Sequence, residues 1–184
     1  MNFSGIVLNG GSSSRMGRNK AEILHKGRRL IDIAVDSLIS AGANDVVIVG
    51  GGTKTSSLEK NVQYCEDLFP NEGPLGGVIT GLKNVESDIA VILACDYLDI
   101  DSSVILECIS KLNSRSMVFP FHEGKEQYLF STIRTKNVEL LESQFMNGVR
   151  SMHEASTFLD CEPYQSAHPE KLRSANTPSQ LNGD

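Results

Sequence analysis

Ile89-Ala90-Val91-Ile92-Leu93-Ala94-Cys95, followed by Asp96, is the stretch on which the fold turns. Its seven apolar residues show no polar alternation, so neither face of a strand built from them can meet water. Such runs belong to central strands of parallel sheets, covered by helices on both sides. To the N-terminal side, Gly5-Ile6-Val7-Leu8 stops at Asn9-Gly10-Gly11, and Val46-Val47-Ile48-Val49 stops at Gly50-Gly51-Gly52. Each predicts a strand running into a loop, and Val62-Gln63-Tyr64-Cys65 predicts a third, shorter one. Between the first two, Leu30, Ile33, Ala34, Ser37, Leu38 and Ala41 fall at helical spacing, with Gly42 as the stop. Gly73-Pro74-Leu75-Gly76-Gly77 turns into a short helix over Val78–Leu82. Beyond Asp96 the pattern predicts helix 102–113, strand 116–120, strand 127–133 and helix 136–146. After Ser156, Pro163, Pro169 and Pro178 break the chain into short pieces. This alternation predicts a three-layer α/β/α sandwich with a Rossmann-like, largely parallel sheet. No repeat, low-complexity tract or linker divides it, so residues 1–184 are expected to form one domain.

Composition narrows the function classes. The chain has 184 residues, 40% hydrophobic and 22% charged, the balance of a globular domain able to bury its own core. With 17 basic and 23 acidic side chains the net charge is −6, which disfavours broad contact with a nucleic-acid backbone but not a small anion held by focused cations. No apolar run reaches the length of a membrane span, and the opening Met1-Asn2-Phe3-Ser4-Gly5 lacks the pattern of a secretory signal. Cys65, Cys95, Cys108 and Cys161 lie far apart with no C-x-x-C pair, the expectation being reduced thiols in a cytoplasm.

In open parallel sheets, ligands bind beyond the carboxyl ends of the strands, which directs attention to residues 9–20, 50–55, 66–77 and 96–101. The first reads Leu8-Asn9-Gly10-Gly11-Ser12-Ser13-Ser14-Arg15-Met16-Gly17-Arg18-Asn19-Lys20. Paired glycines let backbone amides approach a ligand, serine hydroxyls donate to phosphate oxygens, Arg15 offers a planar fork and Lys20 a mobile charge. It matches neither the Walker A pattern nor G-x-G-x-x-G, and a flexible Gly/Ser loop with solvated charges is the competing reading. Asp96 is either a magnesium-type ligand delivered by a buried strand or the cap of the next helix. Asp101-Ser102-Ser103 has the look of a helix N-cap, and neither Asp99 nor Asp101 is expected to be a primary ligand. Asp67 is either a pocket carboxylate or a surface charge.

The full pattern L-x-G-G-x-S-x-R-M-G-x-x-K resembles the N-terminal signature of nucleotidyltransferases that join a nucleoside monophosphate to a phosphorylated acceptor. Within that superfamily the chain looks most like the molybdenum cofactor guanylyltransferases (the MobA family). Glu66-Asp67, Gly73-Pro74-Leu75-Gly76-Gly77, Ala94-Cys95-Asp96 and Ala175-Asn176-Thr177-Pro178 recur in the family's order, so the resemblance covers nearly the whole chain. It implies the nucleotide-diphospho-sugar transferase type of fold and transfer of GMP from GTP to a molybdopterin phosphate, with release of pyrophosphate. It further implies Mg²⁺ on Asp96, and Arg15 and Lys20 neutralising the phosphates. Leu8, Asn9, Gly10, Gly11, Asp67 and Gly73 would line the nucleotide, Asn176 would lie on a segment closing over the site, and delivery proteins or molybdoenzymes would be transient partners.

The chain departs from the family pattern at Ser174, Leu98 and Gly50, where the family has Asn, frequently Pro, and a polar residue. These departures touch base and acceptor choice more than the triphosphate machinery. Two alternatives therefore stand beside the guanylyl reading: a sister transferase using CTP or another phosphorylated acceptor, and a non-catalytic nucleotide-binding protein of the same fold. His25, His122, His153 and His168 form no triad or H-E-x-x-H spacing, and no G-x-S-x-G elbow occurs. Cys95 is expected to be a small buried apolar residue, and Phe119, Phe121, Phe130 and Phe145 to belong to the core.

Overall fold

The computed structural model describes residues 2–10, 20–57 and 61–175. The strands are β1 (Ser4–Leu8), β2 (Leu24–His25), β3 (Arg28–Arg29), β4 (Val46–Val49), β5 (Val62–Cys65), β6 (Ile89–Ala94), β7 (Met117–His122), β8 (Lys125–Glu126), β9 (Phe130–Arg134) and β10 (Cys161–Gln165). The helices are α1 (Leu30–Ser40), α2 (Pro74–Leu82), α3 (Ser102–Lys111), α4 (Val138–Met146) and α5 (Met152–Ser156). The main sheet has the order β10-β7-β9-β6-β1-β4-β5, with β8 hairpinned onto β7, while β2 and β3 form a separate ribbon. Strands β6, β1, β4 and β5 are mutually parallel, β10 is parallel to β7, and β9 runs against both its neighbours.

The apolar run that predicted a doubly covered strand is one. In β6, Val91 and Leu93 face a core completed by α1 and α3, whereas Ala90 and Ile92 face a core completed by α2, α4 and α5. The same division runs through β1, with Val7 on one side and Ile6 and Leu8 on the other, and through β4. Each strand thus buries both faces, and helices on both sides make the predicted three layers.

Several boundaries shift for identifiable reasons. Helix α2 begins at Pro74, so the Pro-Leu-Gly-Gly stretch expected to be a turn is the helix itself. Its small residues permit close packing: a Cβ on Gly76 would come within 2.7 Å of the Phe69 Cβ, and one on Gly81 within 2.4 Å of Ile6 Cγ2. The strand expected over 127–133 starts three residues later. The amide of Phe130 closes a turn onto the Gln127 carbonyl at 2.9 Å before the ladder with β6 begins. Phe121, expected in the core, is half-buried near the end of β7. Strand β10 lies in the region broken by prolines; Pro163 is accommodated because β10 is an edge strand. Helix α5 and the β2–β3 ribbon also escaped the sequence pattern, each being too short for a period to register.

Gly81 gives a direct test of this packing. Gly81→Val should drive a branched side chain into fully buried Ile6 and cost about 1–3 kcal/mol, the usual range for overpacking. Thermal or denaturant unfolding checks it: a midpoint equal to the wild type contradicts the close approach of α2 to β1.

Candidate functional site

At the carboxyl ends of β1, β4, β5 and β6 the structure opens into a cleft of about 470 Å³. The register that sets Leu8 opposite Ala94 brings the residues following these two strands to the same level. Asn9 and Gly10 leave β1 on one side, Cys95 and Asp96 leave β6 on the other, and all four line the cleft. Lys20 reaches it from the 3-10 turn Lys20–Glu22, and its Nζ lies 3.1 Å from Asp96 Oδ2. Both side chains are mostly covered, at 26% and 19% exposed, so their attraction is screened less than that of a surface pair.

Asp67, after β5, forms part of the opposite wall. Its Oδ1 accepts the Phe69 amide at 3.0 Å and lies 3.2 Å from the hydroxyl of buried Thr80. This turn fixes the carboxylate, and Oδ2 lies 3.8 Å from where a Gly77 Cβ would be. Gly73, Pro74 and Gly77 complete this wall from the start of α2. Gly73 has φ +95°, and a Cβ there would strike the Arg150 carbonyl at 2.7 Å, so this position needs glycine.

Asn9 is buried, and its Nδ2 donates to the Thr53 carbonyl at 3.1 Å. Thr53 Oγ1 donates in turn to Glu22 at 3.1 Å, linking the end of β1 to the turn that carries Lys20. A Cβ on Gly51, at φ +62°, would come within 2.2 Å of the Asn9 carbonyl, which explains the glycine in this loop. The neighbouring Gly50, also at positive φ, sits between Gly10 and Asp67.

The three aspartates after β6 do different work. Asp96 lines the cleft. Asp101, as its sequence context predicted, caps α3, accepting the Ser103 amide at 3.0 Å and the Val104 amide at 3.4 Å. Asp99 takes cationic partners and contributes to neither. Cys95 is buried, and burial, followed by the nearby charge of Asp96, pushes its thiol up to about 12. It therefore remains a protonated, apolar-like side chain at neutral pH.

Of the residues singled out from sequence, Leu8, Asn9, Gly10, Lys20, Asp67, Gly73 and Asp96 come together in this cleft. Gly11, Arg15 and Asn176 lie outside the described residues. Ala175, immediately before Asn176, donates its amide to the Asp96 carbonyl at 2.7 Å, so the chain arrives beside the site. Sequence reasoning missed Asn71 and Leu129, which also line the cleft. Asn71 adopts φ +65°, a conformation that asparagine tolerates better than most residues, and Pro70-Asn71 was the available turn signal. Leu129 had no local signal, because its place is set by its carbonyl accepting the Ala94 amide at 2.8 Å from the neighbouring β6.

Divalent metal chemistry fits the donor set without a preformed cage. Lys20 engages one oxygen of Asp96, and the second accepts no hydrogen bond from the described residues. Among those residues no group of three or more His, Cys, Asp and Glu side chains gathers to hold a metal. A single strand-end carboxylate suits Mg²⁺, which keeps several waters and is commonly shared with substrate phosphates.

The loop after β4 is anchored from α1. Asp32 accepts from Arg29 at 2.8 and 3.1 Å, from the Ser56 amide at 2.7 Å and from Thr55 Oγ1 at 2.8 Å. Burial alone would raise its pKa, but these donors outweigh it and hold the carboxyl down to about 2.

A family pattern described as the MobA-like NTP transferase domain matches residues 5–160. A curated relative named probable molybdenum cofactor guanylyltransferase, from Bacillus cereus strain G9842, is 30% identical over 157 residues, spanning 82% of this chain and 77% of the relative. Among solved structures, molybdopterin-guanine dinucleotide biosynthesis protein A from Archaeoglobus fulgidus superposes with a TM-score of 0.74 at 20% identity, covering 98% of this chain and 95% of that one. The 2-C-methyl-D-erythritol 4-phosphate cytidylyltransferase from Thermus thermophilus gives 0.73 at 11% identity, covering 99% and 96%. At these identities the structural likenesses speak for the fold.

The Asp32 anchor carries a pH signature. Because its folded pKa is depressed, its stabilisation is fully present above the ordinary carboxylate value and lost as pH falls from about 4 to about 2. Asp32→Asn should lower the unfolding midpoint at pH 7, and the difference from wild type should shrink through that window. A difference independent of pH contradicts the anchor's charge.

Proposed function

The chain belongs to the family of MobA-like NTP transferase domains, and we propose from that membership that it transfers GMP from GTP to the phosphate of a molybdopterin-type acceptor, releasing pyrophosphate. The pairing of Lys20 with Asp96 in the strand-end cleft carries this reading. It puts one cation and one carboxylate where a metal–triphosphate must be received.

The chain is a nucleotidyltransferase, and its work is positioning and charge stabilisation. The nucleotide enters between the Asn9–Gly10 edge and the wall of Asp67, Gly73 and Gly77. Lys20 exchanges its contact with Asp96 for the phosphates, and Arg15 adds a second cation from the same loop. Asp96, so released, would hold Mg²⁺, which would supply charge neutralisation of the triphosphate and of the leaving pyrophosphate. An oxygen of the acceptor's terminal phosphate forms a bond to the α-phosphorus as the α–β bridging bond breaks. No covalent intermediate with the protein is needed, in keeping with the protonated Cys95 thiol beside Asp96. Asn176 contacts the bound substrates from the C-terminal segment.

Several observations support the setting. No described helix is long and apolar enough to cross a membrane, and all four cysteines are free thiols. Reduced thiols suit the cytoplasm, where we place the reaction. Delivery proteins and molybdoenzymes are its transient partners.

Pyrophosphate release, measured with each common nucleoside triphosphate and molybdopterin or other phosphorylated acceptors, tests the substrate assignment. GTP with molybdopterin should dominate; preference for CTP or for a different acceptor contradicts it, and no release with any pair leaves a binding protein. Asp96→Asn should lower Mg²⁺-dependent turnover by about a hundredfold or more, the scale of losing a main transition-state stabiliser. Unchanged turnover contradicts the metal role. Lys20→Ala should weaken nucleotide affinity in a titration with GTP, and unaltered affinity removes Lys20 from the phosphate site.

A further inference from the structure

Asp99 is a carboxylate near the cleft that the transfer chemistry does not use, and it takes side-chain partners of basic type from three residues. Lys26 Nζ approaches its Oδ1 at 2.7 Å, His25 Nε2 lies 3.1 Å from the same oxygen, and Arg173 Nη2 meets Oδ2 at 2.5 Å. These donors come from two segments more than 70 positions away in opposite directions along the chain. Asp99 is 18% exposed and His25 10%, whereas Lys26 and Arg173 reach the carboxylate from solvent, at 72% and 50% exposed. Burial by itself would raise its pKa, but the hydrogen bonds from Lys26, Arg173 and His25 outweigh that effect and hold it well below the usual carboxylate range. It is not a helix cap, because Asp101 fills that role.

What Asp99 joins is informative. The loop that carries Asp96 is paired to the C-terminal segment by backbone. The Leu98 amide donates to the Arg173 carbonyl at 2.9 Å, the Ala175 amide to the Asp96 carbonyl at 2.7 Å, and Tyr97 bridges Ser174. On the other side, His25 and Lys26 belong to the ribbon that follows the Lys20–Glu22 turn. That turn is closed by the Ile23 amide on the Lys20 carbonyl at 3.1 Å. Both members of the Lys20–Asp96 pair are therefore a few residues from side chains or backbone that Asp99 holds.

We propose that Asp99 is a positioning residue for nucleotidyl transfer: it clamps the β2–β3 ribbon and the Arg173–Ala175 segment onto the loop bearing Asp96, and so fixes Lys20 and Asp96 relative to each other. The clamp rests on the reading of that pair as the phosphate and metal site. Removing the carboxylate leaves Lys26, His25 and Arg173 without the partner they share. The hydrogen bonds of Leu98 and Ala175 then lose the side-chain restraint beside them, while β6 remains secured by its ladders with β1 and β9.

Hydrogen exchange and steady-state kinetics on Asp99→Ala and Arg173→Ala test this. In both variants exchange at the Leu98 and Ala175 amides should rise by about tenfold or more while Val91 and Ile92 in β6 stay protected. The kcat of Asp99→Ala should fall by about ten- to a hundredfold, the range for residues that orient a metal-binding group, with the KM for GTP changing by less than about twofold. Should Asp99→Ala fail to fold, Arg173→Ala carries the test with the same expected directions. Wild-type exchange, or faster exchange with wild-type kcat, overturns the clamp. A wild-type protein that releases no pyrophosphate overturns the proposed function and the clamp with it, whereas an active wild type with unaffected variants overturns the clamp alone.

Discussion

The parallel pairing of β1 with β6 is the constraint on which the rest depends. Because Leu8 sits opposite Ala94, both strands end at one level, and the residues that follow emerge side by side. Every other part of the cleft is arranged around that edge. β4 and β5 extend it in the same direction, α2 closes on it through its glycines, and the Lys20 turn comes back over it. The pairing survives only because both faces of each strand are covered. A central parallel strand exposed on one side would need polar residues that β6 does not have.

Charge is organised on a finer scale than the net −6 suggests. Around the cleft, cations and carboxylates are set against one another: Lys20 on Asp96, and Lys26 and Arg173 on Asp99. Such pairing leaves the positive charge at the site balanced by carboxylates. It also gives the site a resting state in which the lysine and the aspartate satisfy each other. On the proposed function, a triphosphate with its metal would offer each a stronger partner, so that binding would exchange one set of charge contacts for another instead of burying unpaired ions.

How much of this the chain announced depends on the range of the interactions. Long apolar runs, such as Ile89–Cys95, carried their burial in the local pattern, and Asp101-Ser102-Ser103 carried its cap in the same way. The place of Asp96 at the cleft was legible because a buried strand ending in a carboxylate delivers it to the strand ends, whereas residues 11–19, the body of the expected phosphate loop, lie outside the described residues. Pro74–Gly77 was misread as a turn because its glycines answer to Phe69, Leu8 and other residues that the linear sequence does not place nearby. Leu129 and the role of Asp99 were invisible for the same reason. Leu129 is placed by Ala94 on the neighbouring strand and Asp99 by residues more than 70 positions away, and nothing local to Asp99 distinguishes a clamp from a solvated charge.

A crystal of the protein soaked with GTP and Mg²⁺ tests the central claim most directly. The account predicts a triphosphate lying across the ends of β1 and β6, with Lys20 turned onto a phosphate, the metal on Asp96, and the base against the wall of Asp67 and Gly73. A nucleotide bound elsewhere, or one that leaves the Lys20–Asp96 contact intact with no metal on the aspartate, contradicts it.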